Sequence, residues 1–148
     1  WARTPKPDAP IDVFHGPGGF DDFLAAAEIA VNMLPLTTDT EGILNAAAFA
    51  KMPEGAAVIN LGRGAHVIDA DLIAALDTGH LAAATLDVTS PEPLPPESPL
   101  WDHAQVTIMP HVARRPNISD SLPLIVENMR RVNDGAPLQQ LVDRDTGY

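Results

Sequence analysis

The sequence predicts an α/β fold, a parallel sheet buried on both faces by flanking helices. From Ile11 to His111, short runs rich in Val, Ile and Leu alternate with helical patterns, the signature of stacked βαβ units. These runs are nearly continuous in apolar residues, as strands covered on both sides are, rather than alternating apolar with polar. The chain has 148 residues, 45% of them hydrophobic, which is enough for one sizeable core.

Strands are expected over residues 11–15, 28–34, 57–61, 83–88 and 106–109. A first helix opens at Gly19-Phe20-Asp21-Asp22. Thr38-Asp39-Thr40-Glu41 offers N-cap chemistry for a second that runs through Ile43, Leu44 and Phe49 towards Met52. A third starts at Asp69 or Asp71, sets Leu72, Ile73 and Leu76 on one face, and closes with Gly79. Residues 90–99 hold five of the chain's 15 prolines. Lacking N–H donors and fixed in φ, such a stretch forms a rigid irregular loop. A last helix covers residues 121–133 and ends near Gly135, followed by a polar tail.

Twenty acidic residues against nine basic ones give a net charge of −11, a field that repels phosphate backbones and anionic lipid head groups. Nucleic acid and membrane surfaces are therefore not expected partners. No apolar run approaches the ~20 residues needed to span a bilayer. The absence of cysteine rules out disulfides and thiolate metal sites and is compatible with a reducing compartment, so a cytoplasmic location is expected. His15, His66, His80 and His103 show no metal-ligand spacing with carboxylates or one another. No metal is expected, and these four are assigned no chemistry. The chain begins at Trp1 without a methionine, so further sequence is expected upstream.

Three loops follow the C-terminal ends of expected strands, where open α/β sheets collect ligand-binding groups. They hold Arg63, Glu92 and His111. In Asn60-Leu61-Gly62-Arg63-Gly64 two glycines flank an arginine, so the backbone can turn sharply while the guanidinium projects from the strand end. A guanidinium so placed can grip a carboxylate bidentately. His111 ends the apolar run Val106-Thr107-Ile108-Met109-Pro110, and an imidazole there can move protons near neutral pH. Glu92, in the proline loop, can orient that imidazole and favour its charged form. Singly, each residue is equally well a turn, solvated or capping residue; their combination at separations of 29 and 19 residues carries the weight.

Asn60-Leu61-Gly62-Arg63-Gly64, then Leu86-Asp87-Val88 with Pro91-Glu92-Pro93-Leu94, then Pro110-His111 resemble in order and spacing the signature of the D-2-hydroxyacid dehydrogenase family. Leu94-Pro95-Pro96-Glu97-Ser98-Pro99-Leu100-Trp101, Val142-Asp143-Arg144 and Gly147-Tyr148 are most similar to its glyoxylate/hydroxypyruvate reductases. The likeness covers essentially the whole chain. It implies a partial Rossmann-type sheet that lacks its N-terminal βα unit. Residues 1–117 would be the C-terminal portion of the nucleotide-binding domain with its catalytic loops. Residues 118–148 would be a helix and tail returning to a substrate domain that lies outside the chain.

The resemblance also implies roles. Arg63 would bind the substrate carboxylate and polarise its carbonyl, His111 would protonate the ketone oxygen, and Glu92 would hydrogen-bond His111 and keep it protonated. Hydride would come from a nicotinamide cofactor, the protein supplying orientation and electrostatics. Asp87 matches the position that contacts the nicotinamide carboxamide; Leu34-Pro35-Leu36 and the backbone of Leu61, Gly62 and Arg63 match segments that line the cofactor. Trp1-Ala2-Arg3-Thr4-Pro5-Lys6 resembles the end of the second Rossmann strand, where an NAD enzyme carries an acidic residue. Here Arg3, Thr4 and Lys6 stand instead, so NADP(H) is the preferred cofactor and NAD(H) the alternative. Trp101, which follows the proline loop, either walls the substrate pocket of this or a neighbouring subunit, beside Arg63 and His111, or packs in the core.

The substrate would be a small 2-oxoacid or 2-hydroxyacid, and the family suggests a homodimer. The Gly-rich phosphate loop is absent, so the isolated fragment is expected to be inactive. Arg114 and Arg115 fall near the mouth of the site, where they either draw in anions or are plain surface residues. A reading of a different class is a dinucleotide-sensing regulator of the corepressor type, which would bind cofactor and a protein partner without turnover.

Overall fold

A computed structural model of the chain describes residues 1–113 and 117–144. The chain divides into two compact units, Trp1–His111 and Val112–Tyr148. In the first, helix α1 (Gly16–Ala26) precedes strand β1 (Ile29–Asn32). The short helix α2 (Ala46–Phe49), strand β2 (Ala56–Asn60), helix α3 (Asp69–Asp77) and strands β3 (Leu81–Leu86) and β4 (Val106–Ile108) follow. The four strands are parallel in the order β1-β2-β3-β4.

A parallel sheet whose strands succeed one another in a single direction has a built-in sidedness. Each right-handed crossover then returns over the same face. Accordingly Ala30, Asn32, Val58, Asn60, Ala84 and Leu86 are buried, and they close over Leu24, Phe49, Leu72, Leu76 and Leu100. On the other face Ile29 and Val31 are 61% and 47% exposed. The expected burial of both faces therefore holds for one face of the described residues. Crossovers running the opposite way would be needed to cover the second.

Two expected elements are corrected. Residues 11–15 form no strand: only His15 pairs, in a single parallel bridge with Ala2. Ile11 is 74% exposed, and Gly16 (φ +69) followed by Pro17 turns the chain directly into α1. That helix thus opens three residues before Gly19. Residues 38–41 do not cap a helix to Met52 either. Thr40 Oγ1 instead donates to the Pro35 carbonyl (2.7 Å) and accepts from the Thr37 N–H (2.8 Å), tying the segment into turns. The helix forms only over Ala46–Phe49, capped by Asn45, whose Oδ1 accepts from Ala47 and Ala48 N–H. The third helix starts at Asp69 and Gly79 follows it with φ +76, as its sequence predicts.

In the second unit helix α4 (Ile118–Asn133) begins at Asn117, whose Oδ1 accepts from Ser119 N–H, and stops before Gly135. The tail folds back on it: Asn128 and Gln139 exchange two hydrogen bonds of 3.1 and 2.9 Å. Ile118, Leu122, Ile125, Met129 and Val132, spaced alternately by four and three, form an apolar row that is at least half exposed. No helix of the described residues is long and apolar enough to cross a membrane.

Candidate active site

Asn32, Asn60, Leu86 and Ile108 end their strands side by side in register. The loops that follow therefore leave from one edge, at spacings of about 4.8 Å per strand. Leu34 and Pro35 come from β1, Leu61, Gly62 and Arg63 from β2, Asp87 from β3 and His111 from β4. The register thus brings the loops that carry Arg63 and His111 to one sheet edge.

His111 Nδ1 and Glu92 Oε1 are 2.9 Å apart, both half exposed. With Nδ1–H donated to the carboxylate, Nε2 is the nitrogen left to exchange a proton with a bound molecule. The imidazole is aimed by an unusual backbone: His111 has φ +54, a conformation that costs a side-chain-bearing residue roughly 1–3 kcal/mol and tends to mark functional sites.

Beside the pair lies an open groove of about 380 Å³, lined among others by Asp87, Thr89, Glu92, Leu94, Trp101 and Met109. Trp101 is 51% exposed, so it walls the groove rather than filling the core, and its Nε1–H is fixed on the Pro95 carbonyl at 2.9 Å. Asp87 is 3% exposed.

Arg63 is exposed, and its guanidinium donates to the Gly62 carbonyl at 2.7 Å. Its turn and the proline loop touch at Gly64. A Cβ there would overlap the carbonyl of Thr89 and the N of Ser90, so the backbone carrying Arg63 lies directly against the loop that brings Glu92. Arg3, Thr4 and Lys6 are exposed beyond the Ala2–His15 bridge, which is anchored by Trp1 Nε1–H on the Gly16 carbonyl at 2.8 Å. Arg114 and Arg115, and the Gly147-Tyr148 part of the C-terminal signature, lie outside the described residues. Among the described residues no group of three or more His, Asp or Glu could hold a metal ion.

One residue escaped the sequence reading. His66 is fully buried; its Nδ1 faces Asn32 Nδ2 (2.8 Å) and the Arg63 N–H (3.1 Å), and its Nε2 faces the Pro35 carbonyl (3.2 Å). Burial pushes its pKa below the ordinary 6.5, and the Arg63 charge adds to this. The folded state thus resists a proton that the unfolded chain accepts. Stability contributed by neutral His66 is fully present above pH 6.5 and drains away as pH falls towards the lowered value. Asp69, raised by burial, acts in the opposite sense. Thermal melts from pH 8 to 5 should show Tm falling with acid, and His66→Asn should flatten that fall; an unchanged slope would assign it to other groups.

The family model of the D-isomer specific 2-hydroxyacid dehydrogenase NAD binding domain matches residues 1–113. The chain belongs to the D-isomer specific 2-hydroxyacid dehydrogenase family. It is 41% identical to glyoxylate/hydroxypyruvate reductase A of Klebsiella pneumoniae strain 342, across all of this chain and 47% of that protein. A family member from Xanthobacter autotrophicus Py2, solved with NADPH and MES, superposes with a TM-score of 0.94 at 48% identity, over 100% of this chain and 61% of that one. The NADPH-dependent glyoxylate/hydroxypyruvate reductase of Sinorhizobium meliloti, solved with NADP and sulfate, gives a TM-score of 0.89 at 37% identity, covering 100% and 48%. The chain thus spans about half the length of the curated dehydrogenase relative.

Proposed function

We propose that this chain is the nucleotide-binding half of a reductase that converts glyoxylate, hydroxypyruvate or a related 2-oxoacid to the D-2-hydroxyacid, with NADPH as preferred reductant. The observation that carries it is the 2.9 Å Glu92–His111 contact at the same sheet edge as Arg63. The relatives solved with NADPH or NADP support the cofactor. So do this chain's residues: Arg3 and Lys6 are exposed cations where a 2′-phosphate would lie, and Asp87 is a buried carboxylate in the groove wall for a carboxamide N–H. Leu34, Pro35, Leu61 and Gly62 would line the dinucleotide, and the bound nicotinamide would supply hydride.

In this mechanism Arg63 turns outward from Gly62 to take the substrate carboxylate in a bidentate grip. The 2-oxo oxygen then points to His111 Nε2. Nε2 would give its proton to that oxygen, completing the hydroxyl and leaving a neutral imidazole that is reprotonated from water. Glu92 holds Nδ1–H, so the ring cannot present the wrong nitrogen. Trp101 covers one side of the groove. The apolar row of α4 supports its return to a substrate domain outside this chain, and the same reading, on family grounds alone, takes the protein as a cytoplasmic homodimer.

Steady-state assays of the full-length protein against a panel of 2-oxoacids, with each reductant, test the reading. Turnover with glyoxylate or hydroxypyruvate and at least tenfold higher kcat/KM for NADPH is expected. Equal or better use of NADH would defeat the cofactor assignment, and no turnover with any 2-oxoacid would defeat the reaction.

A further inference from the structure

We infer that His66, as its neutral Nε2–H tautomer, is a positioning residue that joins the substrate-anchoring turn at Arg63 to the cofactor-lining segment at Leu34-Pro35. The inference rests on the reductase reading and adds to it a residue outside the groove.

The hydrogen-bond network leaves one assignment of protons. Asn32 Oδ1 accepts from Leu34 N–H at 3.1 Å, so its amide nitrogen must face Asn60 Oδ1 and His66 Nδ1, both at 2.8 Å. Asn60 Oδ1 also accepts from Gly62 N–H (3.1 Å), which leaves Asn60 Nδ2 to donate to the Arg63 carbonyl (2.9 Å). Two N–H groups, from Asn32 and from Arg63, therefore converge on His66 Nδ1, which must carry a lone pair. Nε2–H is then the donor to the Pro35 carbonyl, beside Thr40 Oγ1. No buried side-chain polar atom among the described residues is left without a partner, so the network has no slack.

The consequence is mechanical. The Arg63 N–H rests on the imidazole and its carbonyl on Asn60 Nδ2 and His66 N–H, fixing the base of the side chain that grips the substrate. The opposite ring nitrogen holds the Pro35 carbonyl. Gly62 leaves room at the crossing: a Cβ there would come within 2.9 Å of both Asn32 Nδ2 and His66 Nδ1 and would force them to shift. One ring thus sets the spacing between two loops that meet different ligands.

The two halves of the ring can be removed separately. Asn offers an amide oxygen where Nδ1 sits and nothing where Nε2 sits; Gln offers an amide N–H where Nε2 sits and no acceptor for Arg63. In the full-length protein, His66→Asn should raise KM for NADPH about tenfold and leave KM for glyoxylate within a factor of two. His66→Gln should do the reverse, tenfold being the weight of one buried hydrogen bond. Equal changes in both constants, or none, would overturn the assignment. Should the variants fold poorly, two-bond ¹H–¹⁵N correlation on the unsubstituted chain reads the tautomer directly: Nε2–H with bare Nδ1 supports it, and Nδ1–H overturns it. An unsubstituted enzyme that turns over while the variants shift both KM values alike sinks this inference alone; one that turns over no 2-oxoacid sinks the reductase reading beneath it.

Discussion

His111→Ala in the full-length protein is expected to lower kcat for 2-oxoacid reduction by about 10²–10⁴-fold, the usual weight of a positioned general acid, while KM for the oxoacid changes little. The split follows from the division of labour at the sheet edge. In the proposed mechanism Arg63, two strands away on a different loop, takes the carboxylate, so binding should survive loss of the imidazole. Proton delivery should not: with Glu92 on Nδ1 at 2.9 Å, Nε2 of His111 is the nitrogen left to exchange a proton. The φ of +54 at His111 is a cost a core residue would have no reason to carry, and alanine at that position would keep the strain without the function. Stopped-flow measurement of nucleotide oxidation in a single turnover would place the loss in the chemical step; near-normal turnover would remove His111 from its role.

The second large effect is expected at a residue with no functional group. Gly64→Ala would drive a methyl into the Thr89 carbonyl and the Ser90 nitrogen, and backbone cannot swing aside as a side-chain tip can. Overpacking typically costs 1–3 kcal/mol, and a collision with backbone belongs at or above the upper end, so a loss of about 3 kcal/mol or more in urea unfolding is expected. Where the variant still folds, the proline loop must lift off the Arg63 turn and take Glu92 with it, so kcat falls as well. Gly18→Ala, where a Cβ meets nothing within 4 Å, is the matched control. Equal stability of the two variants would show that the loops are not pressed together.

How much of this was legible beforehand depends on what kind of information each feature uses. The strands β2, β3 and β4 announce themselves by short β-branched and leucine-rich runs, and Arg63, Glu92 and His111 by residue type at strand ends. Those signals are local, and the parallel register then converts sequence separations of 29 and 19 residues into one edge. The expected strand at residues 11–15 fails because an apolar run needs a partner along its whole length, and Ala2 alone pairs with it. The expected helix from Thr38 fails because a threonine hydroxyl that can cap a helix can equally close a turn, as Thr40 does on Pro35.

Metal-ligand spacing does not find His66, because its side-chain partners are two backbone groups and one asparagine, Asn32. A signal was present. Asn32 and Asn60 are amides at the ends of two apolar strands, and a polar side chain in such a place must find buried partners.

The central claim is that Glu92 and His111 work as one unit, and a double-mutant cycle on kcat tests it most directly. With Glu92→Ala, His111→Ala and the double variant assayed in the full-length protein, the double variant should turn over as slowly as His111→Ala and no more slowly, since a carboxylate with no imidazole to orient has nothing left to lose. Losses that multiply, each substitution costing the same whether or not the other is present, would contradict it.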